Sequence, residues 1–120
     1  MRHVYNLLLI ATCLQASPVL ADFDLNFYEQ ERQNEAVFAH VKYYFYGVQD
    51  GLVWANVLNE RKGLDKIYCQ PSRLAVNADN VIQMIDEEIK EPWVSELRKK
   101  QRVSVSVILI QALQRTFPCK

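Results

Sequence analysis

The chain has 120 residues, 14 basic and 14 acidic, and half of them are hydrophobic. That is one domain's worth of sequence, and the balanced charge lacks the clustered basic face that nucleic acid requires. Its two histidines and three cysteines are His3, His40, Cys13, Cys69 and Cys119, too few for a closed zinc site once His3 and Cys13 are discounted as part of a leader.

The leader is residues 1–21. Arg2 and His3 give a basic start, Val4 and Leu7 to Ala11 an apolar stretch, and Val19-Leu20-Ala21 a cleavage site for signal peptidase. Ser17-Pro18 breaks a helix where the site needs extended chain. A lipoprotein signal at Cys13 is disfavoured by Thr12 before it. The expected mature domain is 22–120, exported to the periplasm, with 13 basic and 14 acidic residues. Cys69 and Cys119 then remain in an oxidising compartment, an even pair whose simplest fate is one disulfide. Closing a loop of that length is worth about 4 kcal/mol in the chain-entropy model.

Asp22 to Tyr28 reads as a loosely held arm. From about Asn34 to Lys62, Val37, Val41, Tyr44, Val48, Leu52, Ala55 and Leu58 recur at steps of three and four and predict a helix. Arg61, Lys62 and Gly63 mark its end. Leu64 to Leu74 reads as a loop, pinned at Cys69 and stiffened by Pro71. Asn77 is a good N-cap for a second helix over 78–91, with Val81, Ile82, Ile85 and Ile89 as its apolar face and Pro92 as its stop. The segment 103–107 alternates like a half-buried strand, but Val103, Val107, Ile110, Leu113 and Phe117 carry helical spacing. With no partner strand evident, a last helix over 102–116 is expected. The expected fold is all-α, three to four helices closed by one disulfide. No stretch after the leader is long enough to insert stably in a membrane: 103–113 is short and interrupted by Ser104, Ser106 and Gln111.

Catalysis is not expected, and neither is a cofactor. His40 and Asp50 lie ten residues apart, about 15 Å along a continuous helix, too far for a base and its orienting partner. Asp86, Glu87, Glu88 and Glu91 read as a solvated helix face, and no phosphate-cradling glycine loop is present. The unusual feature is 46–56. Gly47, Gly51 and Ala55 form a small-residue stripe that predicts a closely packed neighbour at Gly51, since each helical glycine costs up to about 1 kcal/mol. Asp50 and Asn56 stand in the same run, as hydrogen-bonding partners of loop backbone near Cys69 or as contacts to a partner. Tyr43, Tyr44, Phe45 and Tyr46 are consecutive, so at least one must reach the surface.

Three blocks in order, Gly47-Val48-Gln49-Asp50-Gly51-Leu52-Val53-Trp54-Ala55-Asn56, Tyr68-Cys69-Gln70-Pro71-Ser72-Arg73-Leu74 and Ala112-Leu113-Gln114-Arg115-Thr116-Phe117-Pro118-Cys119, resemble the Rap/Tai family of type VI secretion immunity proteins. The resemblance spans about Tyr43 to Cys119. It implies a small periplasmic helical protein, a Cys69–Cys119 disulfide, and binding and inhibition of a peptidoglycan amidase injected by neighbouring cells. Gly47, Asp50, Gly51, Trp54, Asn56 and Pro71 are its motif residues here, and most of them describe fold. The basic run Arg98 to Arg102 is not part of the pattern.

An inhibitor without catalytic groups works by occupancy. The element expected to plug a hydrolase cleft is the loop from Gly63 to Leu74, with Tyr68, Gln70 and Arg73 as contacts and Asp65 and Lys66 at the rim. The alternative function is a general envelope protein without a toxin partner, such as a small acid-stress chaperone. Rescue of aggregating clients at low pH distinguishes the two. A homodimer is compatible with either.

Overall fold

A computed structural model describes residues 23–120, so the leader lies outside the described residues. The described residues form five helices: α1 (Leu25–Glu31), α2 (Glu35–Arg61), α3 (Ala78–Glu88), α4 (Pro92–Arg98) and α5 (Val105–Thr116). The fold is all-α, with Cys69 joined to Cys119. Helix α3 packs on both α2 and α5, and α1 packs on α2. The core between them holds Phe38, Val41 and Phe45 of α2, Val81 and Ile85 of α3, and Ile108, Leu109 and Leu113 of α5.

The expected N-terminal arm is instead a helix. Asp24 caps α1 by accepting from the Phe27 backbone N–H at 2.9 Å, and Leu25 and Tyr28 are buried. The arm is also tied by backbone. Leu25 donates to the Val103 carbonyl at 2.8 Å and Val105 to that of Phe23 at 2.9 Å, closing one antiparallel bridge between Asp24 and Ser104. This bridge is the missing partner for the strand-like residues Val103 and Ser104, and it delays the start of α5 from 102 to Val105.

In α2 the 100° step selects Phe38, Val41, Phe45, Gln49, Leu52 and Asn56 as the inner face. Val37, Tyr44 and Leu58 of the predicted stripe are exposed. The prediction followed apolar residues only, whereas the inner face includes two amides. Helix α2 stops as expected. Gly63, at φ 69°, occupies the left-handed conformation that a side chain disfavours. Leu64 N–H donates to Asn59 and Gly63 N–H to Glu60, a Schellman closure.

Asn77 caps α3 in a reciprocal capping box with Asn80. The helix ends at Glu88 rather than 91, and Pro92 opens α4. Its missing N–H costs nothing at a first helical position, and its ring holds Glu91 extended. No helix of the described residues is long and apolar enough to cross a membrane.

Candidate binding surface

The segment between α2 and α3 has no regular structure, yet its backbone is held from two sides. From α2, Asn56 is 8% exposed and uses both ends of its amide. Nδ2 donates to the Tyr68 carbonyl at 2.9 Å and Oδ1 accepts from the Ile67 N–H at 2.6 Å. One turn on, Asn59 donates to the Asp65 carbonyl at 3.0 Å. From α5, Gln114 donates to the Ile67 carbonyl at 3.0 Å. Past its end, the Phe117 carbonyl accepts from the Cys69 N–H at 2.8 Å. The Cys69–Cys119 disulfide spans a Cα–Cα distance of 4.9 Å and fixes the same point covalently.

Tyr68 anchors the segment from beneath. It is 1% exposed, with its ring 6.4 Å from that of Phe117. This corrects the expectation that Tyr68 contacts a partner: its side chain belongs to the core. Its hydroxyl has no hydrogen-bond partner among the described residues. Burial pushes its pKa above the ordinary tyrosine value, and Gln49 comes close enough to offset this in part without closing a bond. Gln70, half-buried, braces the tip by donating to the Leu74 carbonyl at 2.7 Å, while Leu74 N–H returns to Pro71 at 3.0 Å. Pro71, Ser72, Arg73, Leu74 and Ala75 are exposed. Asp65 is exposed, and Lys66 is paired to Glu60 at 3.0 Å. A cleft of about 200 Å³ runs between this tip and α2, bounded by Val53, Val57, Pro71 and Ser72.

The motif residues of α2 divide between its two faces. Asn56 faces inward onto the loop, as one of its two readings expected. Asp50 is exposed instead. Trp54 is 60% exposed and Tyr43 65%, and Tyr44 and Tyr46 also reach the surface while Phe45 is sealed in the core. Gly47 and Gly51 have nothing within 4 Å of where a Cβ would stand. The close neighbour expected at Gly51 is therefore absent among the described residues, and both glycines lie on open helix surface while Ala55 is half-buried.

The acidic run is not a uniformly solvated face. Glu88 is 2% exposed. Its Oε1 accepts from Trp93 Nε1 at 2.7 Å and its Oε2 from Arg115 Nε at 2.8 Å, tying α3 to α4 and α5. Asp86 accepts from the Tyr28 hydroxyl at 2.8 Å and from Arg32 at 2.9 Å, tying α3 to α1. Burial and the Asp86 carboxylate together raise the Tyr28 pKa strongly. The basic run is engaged as well. Arg98 pairs with Glu29, and Arg102 with the carboxylate of Asp24. The signal for these ties was the acidic run Asp86, Glu87, Glu88 and Glu91 itself, but nothing in it specified the pairing.

His40 and Asp50 both project from α2, and no group of three or more His, Cys, Asp or Glu among the described residues is placed to hold a metal. The arrangement offers a rigid loop tip and an exposed aromatic helix face, the means to bind another macromolecule. No family model, curated protein or solved structure matches this chain.

Proposed function

We propose that this chain is a periplasmic immunity protein of the Rap/Tai kind, which binds a peptidoglycan amidase delivered by type VI secretion and inhibits it by occupying the active-site cleft. The observation that carries the reading is the preformed loop of residues 63–77. Side chains of Asn56, Asn59 and Gln114 hold its backbone, Tyr68 anchors it and a disulfide pins it. A segment ordered before binding avoids most of the ordering cost that a flexible loop meets on association. That suits a plug, which must compete with substrate for a cleft.

The contact set differs from the one the sequence suggested. Arg73 remains at the tip, joined by Pro71, Ser72 and Leu74, all exposed. Gln70 acts as an internal brace and Tyr68 as the anchor. The half of α2 nearest the loop adds Trp54 and Leu58, both exposed, to an interface of roughly 1,600 Å². Export by residues 1–21 and oxidation of Cys69 and Cys119 fit a periplasmic site of action.

The test is protection in living cells. Type VI amidases are directed to the periplasm of a sensitive host with or without this chain. Growth should be rescued for one amidase class. Arg73→Glu should abolish the rescue while the variant accumulates to the parent's level. Absence of rescue for every class would sink the proposal, and rescue that survives Arg73→Glu would move the interface off the loop tip.

A further inference from the structure

The cleft between the loop tip and α2 holds two polar groups that the fold leaves open. Its volume of about 200 Å³ is below the roughly 300 Å³ at which pockets for whole small molecules begin, so it fits one side chain. Val53, Val57 and Pro71 make its apolar walls, and Tyr68 and Gln70 line it as well. At its mouth Lys66 and Glu60 pair at 3.0 Å, so the opening carries no net charge. Tyr68 is 1% exposed, and its hydroxyl is the one buried side-chain polar atom without a hydrogen-bond partner among the described residues. Burial raises its pKa, so it stays protonated, a donor in want of an acceptor. Gln70 supplies the converse. Its Nε2 is committed to the Leu74 carbonyl at 2.7 Å, which leaves Oε1 to face α2. There Oε1 meets Gln49 Nε2 at 3.5 Å, the limit of a hydrogen bond. Gln49 is buried and stands beside the Tyr68 hydroxyl too, so donor and acceptor converge on one amide.

We propose that this cleft is a pocket for one neutral primary carboxamide on an apolar stem, a glutamine side chain of the bound amidase. The identity of the partner rests on the proposed inhibition of an amidase; the chemistry rests on the cleft alone. A carboxamide carries an acceptor oxygen and a donor NH2 side by side. The oxygen accepts from the Tyr68 hydroxyl, and the NH2 donates to Gln70 Oε1. The methylenes of the stem lie along Val53 and Val57. Other tips leave a buried group unmatched. A carboxylate sets a charge against Gln70 Oε1, an ammonium offers the Tyr68 hydroxyl no acceptor, and an aliphatic tip satisfies neither. The hydroxyl is sealed from solvent in the free chain, so the incoming amide reaches it by displacing the long Gln49–Gln70 contact. That contact is the part of the site that gives way.

N-acetylglutamine methylamide, titrated into the oxidised mature protein and followed by amide NMR, tests the pocket without any amidase. Saturable shifts at Ile67, Tyr68 and the Gln70 side-chain NH2 are expected, with a dissociation constant in the millimolar range for so small a ligand. The matching glutamate and norleucine derivatives should bind at least about tenfold more weakly. Tyr68→Phe should lose the same factor while its thermal midpoint stays level or rises, because it removes a hydroxyl that the free fold leaves unpartnered. In an amidase titration, Tyr68→Phe should raise the concentration needed for inhibition about tenfold. No saturable shift up to about 100 mM overturns the proposal, as does equal binding of the glutamate or norleucine derivative. A Tyr68→Phe variant that melts lower and binds the amide as the parent does assigns the hydroxyl to the fold and overturns it too. Tyr68→Phe that loses the amide yet inhibits the amidase as well as the parent overturns the assignment to that interface. A chain that takes the amide and inhibits no amidase upholds the pocket and refutes the amidase as its partner.

Discussion

Replacing Asn56 by alanine removes both of its hydrogen bonds to the loop at once, those to Ile67 N–H and to the Tyr68 carbonyl. Neither backbone group has another side chain to turn to at that point, and Asn56 is 8% exposed, so water replaces it poorly. Each unsatisfied group costs about 1–3 kcal/mol. Alanine recovers about 0.5 kcal/mol of helix propensity, leaving a net loss of about 1.5 to 5.5 kcal/mol. That is comparable with the roughly 4 kcal/mol attributed to the disulfide and large against a domain's total of about 5–15 kcal/mol. Urea unfolding with the disulfide intact measures it, and amide exchange at Ile67 localises it. Asn59→Ala is the internal control: it removes one bond at a more exposed position and should cost less than about 1 kcal/mol. A loss below about 0.5 kcal/mol for Asn56→Ala, with Ile67 protection unchanged, would refute the claim that the amide organises the loop.

Gly47→Ala and Gly51→Ala should each stabilise the fold by about 0.5–1 kcal/mol, because both lie on open helical surface; destabilisation on thermal melting would contradict that placement. Glu88→Ala should cost about 2–3 kcal/mol in chemical denaturation, since it orphans the Trp93 indole N–H and breaks the link to Arg115. A loss under about 1 kcal/mol would make the latch incidental. The Asp24 carboxylate is held below its ordinary pKa of 3.8, first by the Phe27 backbone N–H and then by Arg102. A depressed folded pKa adds stability above the unfolded value that is lost as pH falls through the folded one. Asp24→Asn should therefore flatten the fall in stability below about pH 4, and an unchanged acid limb would contradict the capping role.

The long elements were legible because they carry local signals. Asn34 and Asn77 cap α2 and α3, and Gly63 closes α2. Their apolar spacing is strong enough to outweigh the β-branched and aromatic run inside α2. The short helices were not legible. Helix α1 exists because Leu25 and Tyr28 are buried against α2 and because Phe23 and Leu25 pair with Val103 and Val105, partners about 80 residues away. Pro92 signals a stop and a start equally well, and only packing of Val94 decided for a start. The phase of α2 was misread for the same reason. Gln49 and Asn56 are polar, and only the loop that folds back over them makes their burial favourable. That same fold-back turns Tyr68 from an expected contact into the anchor. Asn56 was legible as a residue of interest, but which loop atoms it holds was not.

We propose that this chain inhibits a cell-wall amidase by occupancy, with a loop that is already in place. Titrating the oxidised protein into a type VI amidase acting on purified peptidoglycan measures this directly. Hydrolysis should fall linearly to zero at one chain per enzyme, and Arg73→Glu should raise the required concentration at least about thirtyfold, the equivalent of roughly 2 kcal/mol. Hydrolysis that continues at its full rate in excess protein, across the amidase classes such systems deliver, would contradict it.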